Sequence, residues 1–314
     1  MKKNLGLFLA IILVQIAPFI SAADTLHPLI YKIDIKKEIS NTTRLYLSNG
    51  LAEAYALGAD AVLIHMNTYG GQVDAADSMR TAILYNPIPV YVFIDNNAAS
   101  AGALISIACK KIYMRKGANI GAATVVNPTG EAMPDKYQSY MRSMMRSTAE
   151  AHGQDTIVQK NDTLYKWKRD PLIAEAMVDE RVAILTFTAQ EAQKWGYCDG
   201  IAENPDEVIT QYLGYKDYKM KSYIPSWQDD LKGFLMNPIF QSILIIIIIG
   251  GIYFEMQTPG LGFPSAASLL AAILYFAPLY IDGRFWFLSS AFYCSQWKSS
   301  SFRDSGLPEL AVSY

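Results

Sequence analysis

Ser100 sits in a run of very small residues, Asn97-Ala98-Ala99-Ser100-Ala101-Gly102-Ala103, directly after the apolar stretch Val90-Tyr91-Val92-Phe93-Ile94. The stretch is bounded by Pro87 and Pro89 on one side and Asp95-Asn96-Asn97 on the other, and it predicts a buried strand. Residues 103–108 predict a buried helix. A serine at such a junction has room for a substrate backbone beside it. The helix N-terminus that follows offers unpaired N–H groups and a positive dipole end, which suit a developing oxyanion. The alternative is that Ser100 is only the N-cap of that helix, an ordinary role for serine.

A serine nucleophile needs a base. The three histidines are His27, His65 and His152. His65 lies inside an apolar strand pattern, Ala61-Val62-Leu63-Ile64-His65-Met66, and reads as a hydrogen-bonded core residue. His152 precedes Gly153 at the end of a long helical pattern, where a cation complements the helix dipole. Lysine is the other candidate. Lys136 follows Pro134, which marks a helix start, and so falls in the first turn of a helix running toward Gly153. There the dipole disfavours the ammonium, and partial desolvation would populate the neutral amine. The alternative is a solvated surface lysine.

An oxyanion hole is the third requirement. Thr68-Tyr69-Gly70-Gly71 follows a strand and precedes a helix, and paired glycines let backbone N–H groups face inward unobstructed. A plain strand-to-helix turn would use the same residues.

The elements around these segments alternate. Strands are expected over 29–35, 61–66 and 90–94, and helices over 43–57 and 73–85. Thr188-Ala189-Gln190-Glu191 is a capping box opening a short helix that stops at Gly196. Residues 159–169 are polar and mixed and read as a loop or flap. The alternation argues α/β.

Together, Thr68-Tyr69-Gly70-Gly71, Ala99-Ser100-Ala101-Gly102, Lys136 ahead of Tyr140-Met141-Arg142-Ser143, and the loop Ala118-Asn119-Ile120-Gly121-Ala122-Ala123 resemble the ClpP/crotonase superfamily. More closely they resemble membrane-bound serine proteases of the NfeD family, in the long form with a ClpP-like domain. The resemblance runs from Leu29 through Tyr253-Phe254-Glu255-Met256-Gln257-Thr258-Pro259-Gly260 to Gly283. It implies a spiral of ββα units followed by a helical transmembrane region. It implies Ser100 as nucleophile and Lys136 as base, with Gly70, Gly71 and Ala101 forming the oxyanion hole and Tyr69, Gly121, Ala122 and Ala123 at the substrate. It implies an apolar peptide or membrane-protein substrate, stomatin-like partners and self-association of the protease domain. One departure is Tyr69, where ClpP-like proteins often carry proline; the glycines keep their backbone role while the adjacent pocket changes. Two other readings are a signal-peptide-peptidase-like protease, which would usually carry two tandem halves, and a membrane scaffold with a relic site.

The formal net charge of −2, without a strong basic run, disfavours nucleic-acid binding. Cys109, Cys198 and Cys294 have neither disulfide nor metal spacing, and Cys109 reads as core. No zinc site, phosphate-binding glycine loop or dinucleotide fingerprint is present, so no metal or cofactor is expected. Export also separates the chain from the acyl-CoA pool a crotonase would use.

Residues 1–23 read as a signal peptide, with Lys2-Lys3, an apolar run over 5–20 and Ser21-Ala22-Ala23 before Asp24; an uncleaved anchor is the alternative. A protease domain is then expected over 24–230 and a membrane region over 231–283, with helices at 239–255 and 262–281. Each approaches the roughly 17–25 residues a span needs. The expected location is a bacterial cell membrane, multi-pass, with the protease domain outside the cytoplasm. Lys216, Lys219, Lys221 and Lys232 before the first span run against the positive-inside tendency, and the leading signal is given more weight. Residues 284–314 are serine-rich and without periodicity, as a truncated or frameshifted end would be.

Overall fold

The computed structural model describes residues 27–159, 162–179, 186–257 and 262–281. The expected signal peptide, the 284–314 tail and Cys294 lie outside them. By internal packing the chain divides at Ile224/Pro225.

The first unit is built on a mainly parallel sheet. Its elements begin β1 (Leu29–Ile35), α1 (Asn41–Ala56), β2 (Ala61–Thr68), α2 (Val73–Leu84), β3 (Val90–Ala99), α3 (Ala101–Ala108), β4 (Lys111–Met114) and β5 (Asn119–Gly121). There follow α4 (Asp135–Glu150), β6 (Gln154–Gln159), β7 (Asp162–Trp167), α5 (Pro171–Ala176), β8 (Thr186–Thr188), α6 (Ala189–Lys194) and β9 (Gly200–Ile201). A short α7 (Pro205–Glu207), continued by a π-helical turn over Val208–Tyr212, leads to β10 (Lys219–Ser222). The sheet order is β10-β1-β2-β3-β4-β9, all parallel, with β5 pairing parallel to β3 and antiparallel to β8.

Two-sided burial explains the continuous apolar strands. On one face Ile33, Ile64, Val92 and Ile94 pack with residues of α1, α2 and α3, among them Leu47, Met79 and Leu104. On the other, Leu63, Phe93 and Tyr113 pack under Val208 and Ile209. Buried Met141, Met144 and Met145 place one side of α4 in the first core.

Two expectations are corrected here. Strand β3 runs five residues beyond Ile94, because Asn97, Ala98 and Ala99 pair with Asn119, Ile120 and Gly121. The stretch read as a loop over 159–169 lies largely in a β6–β7 hairpin, in register from Gln154↔Trp167 to Gln159↔Asp162.

The second unit contains α8 (Trp227–Leu235), α9 (Pro238–Gln257) and α10 (Phe263–Ile281). Helix α9 is long and apolar enough to cross a membrane; α10 is a second apolar helix packed against it. The expected domain boundary at 230/231 falls inside helix α8, all of which belongs to this unit. The Phe234 and Phe240 rings lie 4.5 Å apart, and Gln241 Nε2 donates to the Leu235 carbonyl at 2.6 Å.

Candidate active site

Ser100 is the hinge between β3 and α3, with φ 53° and ψ −117°. A capping serine looks different. Ser226, at the start of α8, is extended (φ −83°, ψ 157°), and its Oγ accepts from the Asp229 N–H at 3.3 Å. Ser100 occupies the N-cap position but makes no such side-chain bond. The N-cap reading therefore fails on both backbone and hydroxyl. A non-glycine residue at positive φ costs on the order of 1–3 kcal/mol and persists only where its surroundings hold it. Here the Ser100 N–H donates to the Gly121 carbonyl at 2.8 Å, and its own carbonyl accepts from Ala103 N–H at 2.9 Å. A strained serine between a strand and a helix is the geometry of a nucleophile elbow.

The Gly70-Gly71 turn lies against it. A Cβ added at Gly70 would stand 2.7 Å from Ser100 Cβ and 3.1 Å from its Oγ. One at Gly71 would stand 2.1 Å from the Ile39 carbonyl oxygen. Both glycines have positive φ, 112° and 150°. The turn is pinned by bonds from Ile39 N–H to Gly70 O and from Gln72 N–H to Ile39 O, each 2.8 Å. The buried Thr68 hydroxyl accepts from Gly70 N–H at 3.2 Å. Gly70 N–H is thereby used, whereas Gly71 N–H and Ala101 N–H have no backbone acceptor among the described residues. Gly70 thus shapes the turn, and Gly71 and Ala101 carry the free donors. Ile39 and Thr68 were not identified from sequence. Ile39 meets the turn through its backbone, which leaves no sequence signal.

The remaining expected residues are distributed unevenly. Tyr69 is 81% exposed and, with Lys36, Lys37, Glu38 and the two glycines, lines an open groove of about 490 Å³. Of the three loop residues, Ala122 is exposed and itself has φ 50°. Gly121 and Ala123 are buried, and Ala123 N–H donates to Met177 O at 2.8 Å. Lys136 lies in the first turn of α4 as expected, but it is exposed, with Nζ 4.8 Å from the Tyr137 ring centroid. The desolvation expected of it is not met within the single chain. The start of α4 projects from the core, and Gln138 is the first side chain that turns inward, bonding to Val125 N–H (2.9 Å) and Val125 O (2.7 Å). Among the described residues the structure records no hydrogen bond between Lys136 and Ser100.

His65 and His152 are both engaged away from Ser100. His65 is buried between Asp34 (3.2 Å) and Asp95 (3.4 Å), and Arg115 closes on Asp95 at 2.5 Å. The His65 imidazole, helped by Lys32, holds the Asp34 carboxyl well below the usual carboxylate range. His152 is not the expected helix-end cation: burial, then the neighbouring Arg169, pushes its pKa down to about 4. The buried cation beside it is Arg169, which serves the end of a different helix. Its buried guanidinium donates to the carbonyls of Ile107, Cys109 (2.6 Å) and Lys110 (3.3 Å), at the C-terminus of the helix that Ser100 opens. Cys109 is core, its thiol pushed up to about 12 by burial.

Comparison with known proteins now decides the family. The family model for the NfeD1b N-terminal domain matches residues 29–223, and that for the NfeD integral membrane domain matches residues 239–290. The chain belongs to the NfeD family. It is 31% identical over 257 residues to Membrane protein NfeD1b of Bacillus subtilis (strain 168), covering 79% of this chain and 55% of that protein. It is 24% identical over 269 residues to Membrane-bound protease PH1510 of Pyrococcus horikoshii, covering 78% and 57%. The chain thus spans about half the length of the curated relatives it matches. Its fold matches the 1510-N membrane-bound stomatin-specific protease, solved as a lysine-to-alanine mutant with a substrate peptide. That match has a TM-score of 0.56 at 22% identity and covers 66% of this chain and 97% of that one. The NfeD membrane domain makes this NfeD chain a membrane protein.

Proposed function

We propose that this NfeD chain is a membrane-anchored serine endopeptidase with a Ser100/Lys136 dyad. The observation that carries the reading is the strained Ser100, set against Gly70 with the Gly71 and Ala101 amides free beside it. Neutral Lys136 takes the hydroxyl proton as Ser100 Oγ adds to a peptide carbonyl. The Gly71 and Ala101 N–H groups receive the oxyanion. As the tetrahedral adduct collapses, the C–N bond breaks and Lys136 returns the proton to the leaving amine. Water then adds to the acyl-enzyme with Lys136 again as base, and Ser100 leaves with its proton restored.

The substrate is an extended apolar segment of a membrane-associated protein, entering past Tyr69 and Ala122. Stomatin-like proteins are the proposed partners, because the structural relative is a stomatin-specific protease. Lys136 is exposed in the single chain, so the dyad forms only when a substrate or a second copy covers the start of α4. The proposed setting is a bacterial cell membrane, crossed by both α9 and α10, with the protease domain outside the cytoplasm. That side follows from the leading signal.

The same exposure favours a second reading, a membrane scaffold for stomatin-like proteins in which the site is a relic. Cleavage of apolar peptides by the full chain in membranes separates the two. The protease reading expects cleavage that is lost in both Ser100→Ala and Lys136→Ala with the fold intact. Loss in Ser100→Ala alone discards Lys136 as base. No cleavage by the parent across pH supports the scaffold.

A further inference from the structure

Between the two NfeD family domains, which end at residue 223 and begin at 239, lies α8. Beside exposed Gln228 and Asp230 it leaves large apolar side chains in the open. Trp227, Leu231 and Phe234 along it are 71%, 39% and 57% exposed. Spaced by four and three residues, these three fall on one helical stripe. The inward side holds Gly233, Leu235 and Asp229, whose carboxylate accepts from Ser226 N–H at 2.9 Å and from Ser226 Oγ at 3.1 Å.

The position of the stripe indicates what covers it. Only Met236 and Asn237 separate α8 from α9, so Leu235 and Pro238 are at most about 11 Å apart at 3.8 Å per residue. The Phe234–Phe240 ring contact and the Gln241–Leu235 hydrogen bond fasten the two helices together. Asn237 Oδ1 accepts from Ile239 N–H at 2.9 Å and closes the start of the span. An apolar stripe fixed at the mouth of a membrane helix meets the headgroup layer, where Trp and Phe side chains are at home.

We propose that α8 is an interfacial helix, lying in the headgroup plane with Trp227, Leu231 and Phe234 inserted into the acyl boundary. Its partner is the lipid surface itself. The inference rests on the membrane domain and is independent of the proposed proteolysis.

The test uses the full chain in phosphatidylcholine nanodiscs, with and without lipids brominated near the glycerol end of the acyl chain. The fluorescence lost between the parent and Trp227→Phe is the Trp227 signal. The expected result is at least twofold quenching of that signal by brominated lipid and little by aqueous iodide. Quenching by iodide alone, or by neither, would overturn the proposal, because Trp227 would then face water or protein. A nitroxide placed by Phe234→Cys or Gln228→Cys gives a second readout without altering Trp227. Phe234→Cys should favour oxygen over a water-soluble nickel chelate and Gln228→Cys, exposed on a different side of the helix, the reverse; equal accessibilities at both positions would equally overturn the proposal.

Discussion

The Ser100 N–H donates to the Gly121 carbonyl at 2.8 Å, and this bond joins the only two non-glycine positive-φ segments among the described residues, Ser100 and Ala122. Each strained residue is held by the chain that carries the other. Ala122 is in turn followed by Ala123, tied to Met177. Strain at Ser100 is thus maintained by β5 and not by α3 alone.

Relief of that strain is measurable. Ser100→Gly removes the positive-φ penalty, whereas Ser100→Ala keeps it. Ser100→Gly should be the more stable of the two by about 1 kcal/mol in denaturant unfolding, and both should lack activity. A less stable Ser100→Gly would mean that the backbone is not strained.

Gly70→Ala inserts a methyl group 2.7 Å from Ser100 Cβ at a φ of 112°. The serine or the turn must move. Displacement of about 1 Å at a reacting group costs on the order of 100-fold. Peptide turnover should fall by that order, with a far smaller change in folding as followed by circular dichroism. Unchanged turnover would remove Gly70 from the site.

His152 sets an acid limit on stability. Its folded pKa of about 4 lies below the usual 6.5, so the unfolded chain takes up the proton first as pH falls. Stability is fully present above about pH 6.5 and declines toward pH 4, by on the order of 3 kcal/mol. Urea unfolding between pH 7 and 4 should follow this slope in the parent and flatten in His152→Gln. An equal slope in both would place the titration elsewhere.

Arg169→Met should cost about 3 kcal/mol or more, because three carbonyls at the end of α3 lose their buried donor. The conservative Arg169→Lys should recover only part of it, since an ammonium cannot present the same fork. Thermal unfolding of the three proteins tests the order.

Much of this was readable in the residues. The alternation around Ser100, the Gly-Gly turn and the Thr188–Glu191 capping box lie in local sequence, and each formed where expected. What escaped depends on distant partners. Asp95-Asn96-Asn97 looks like the end of a strand until β5 pairs beside it. Ile39 meets the glycine turn through its backbone, and nothing in its type announces that Gly71 must clear it. His152 reads as a helix-end cation because its burial, and the contact with Arg169 seventeen residues later, are set by distant packing. The position of Lys136 on α4 was legible, whereas its exposure depends on what packs over the helix start.

The most direct test of the protease reading is mass-spectrometric mapping of a fluorophosphonate adduct on the full chain in membranes. The account predicts one adduct, on Ser100, absent from Ser100→Ala and formed far more slowly in Lys136→Ala. No adduct on the parent, or an adduct on another serine, would contradict it.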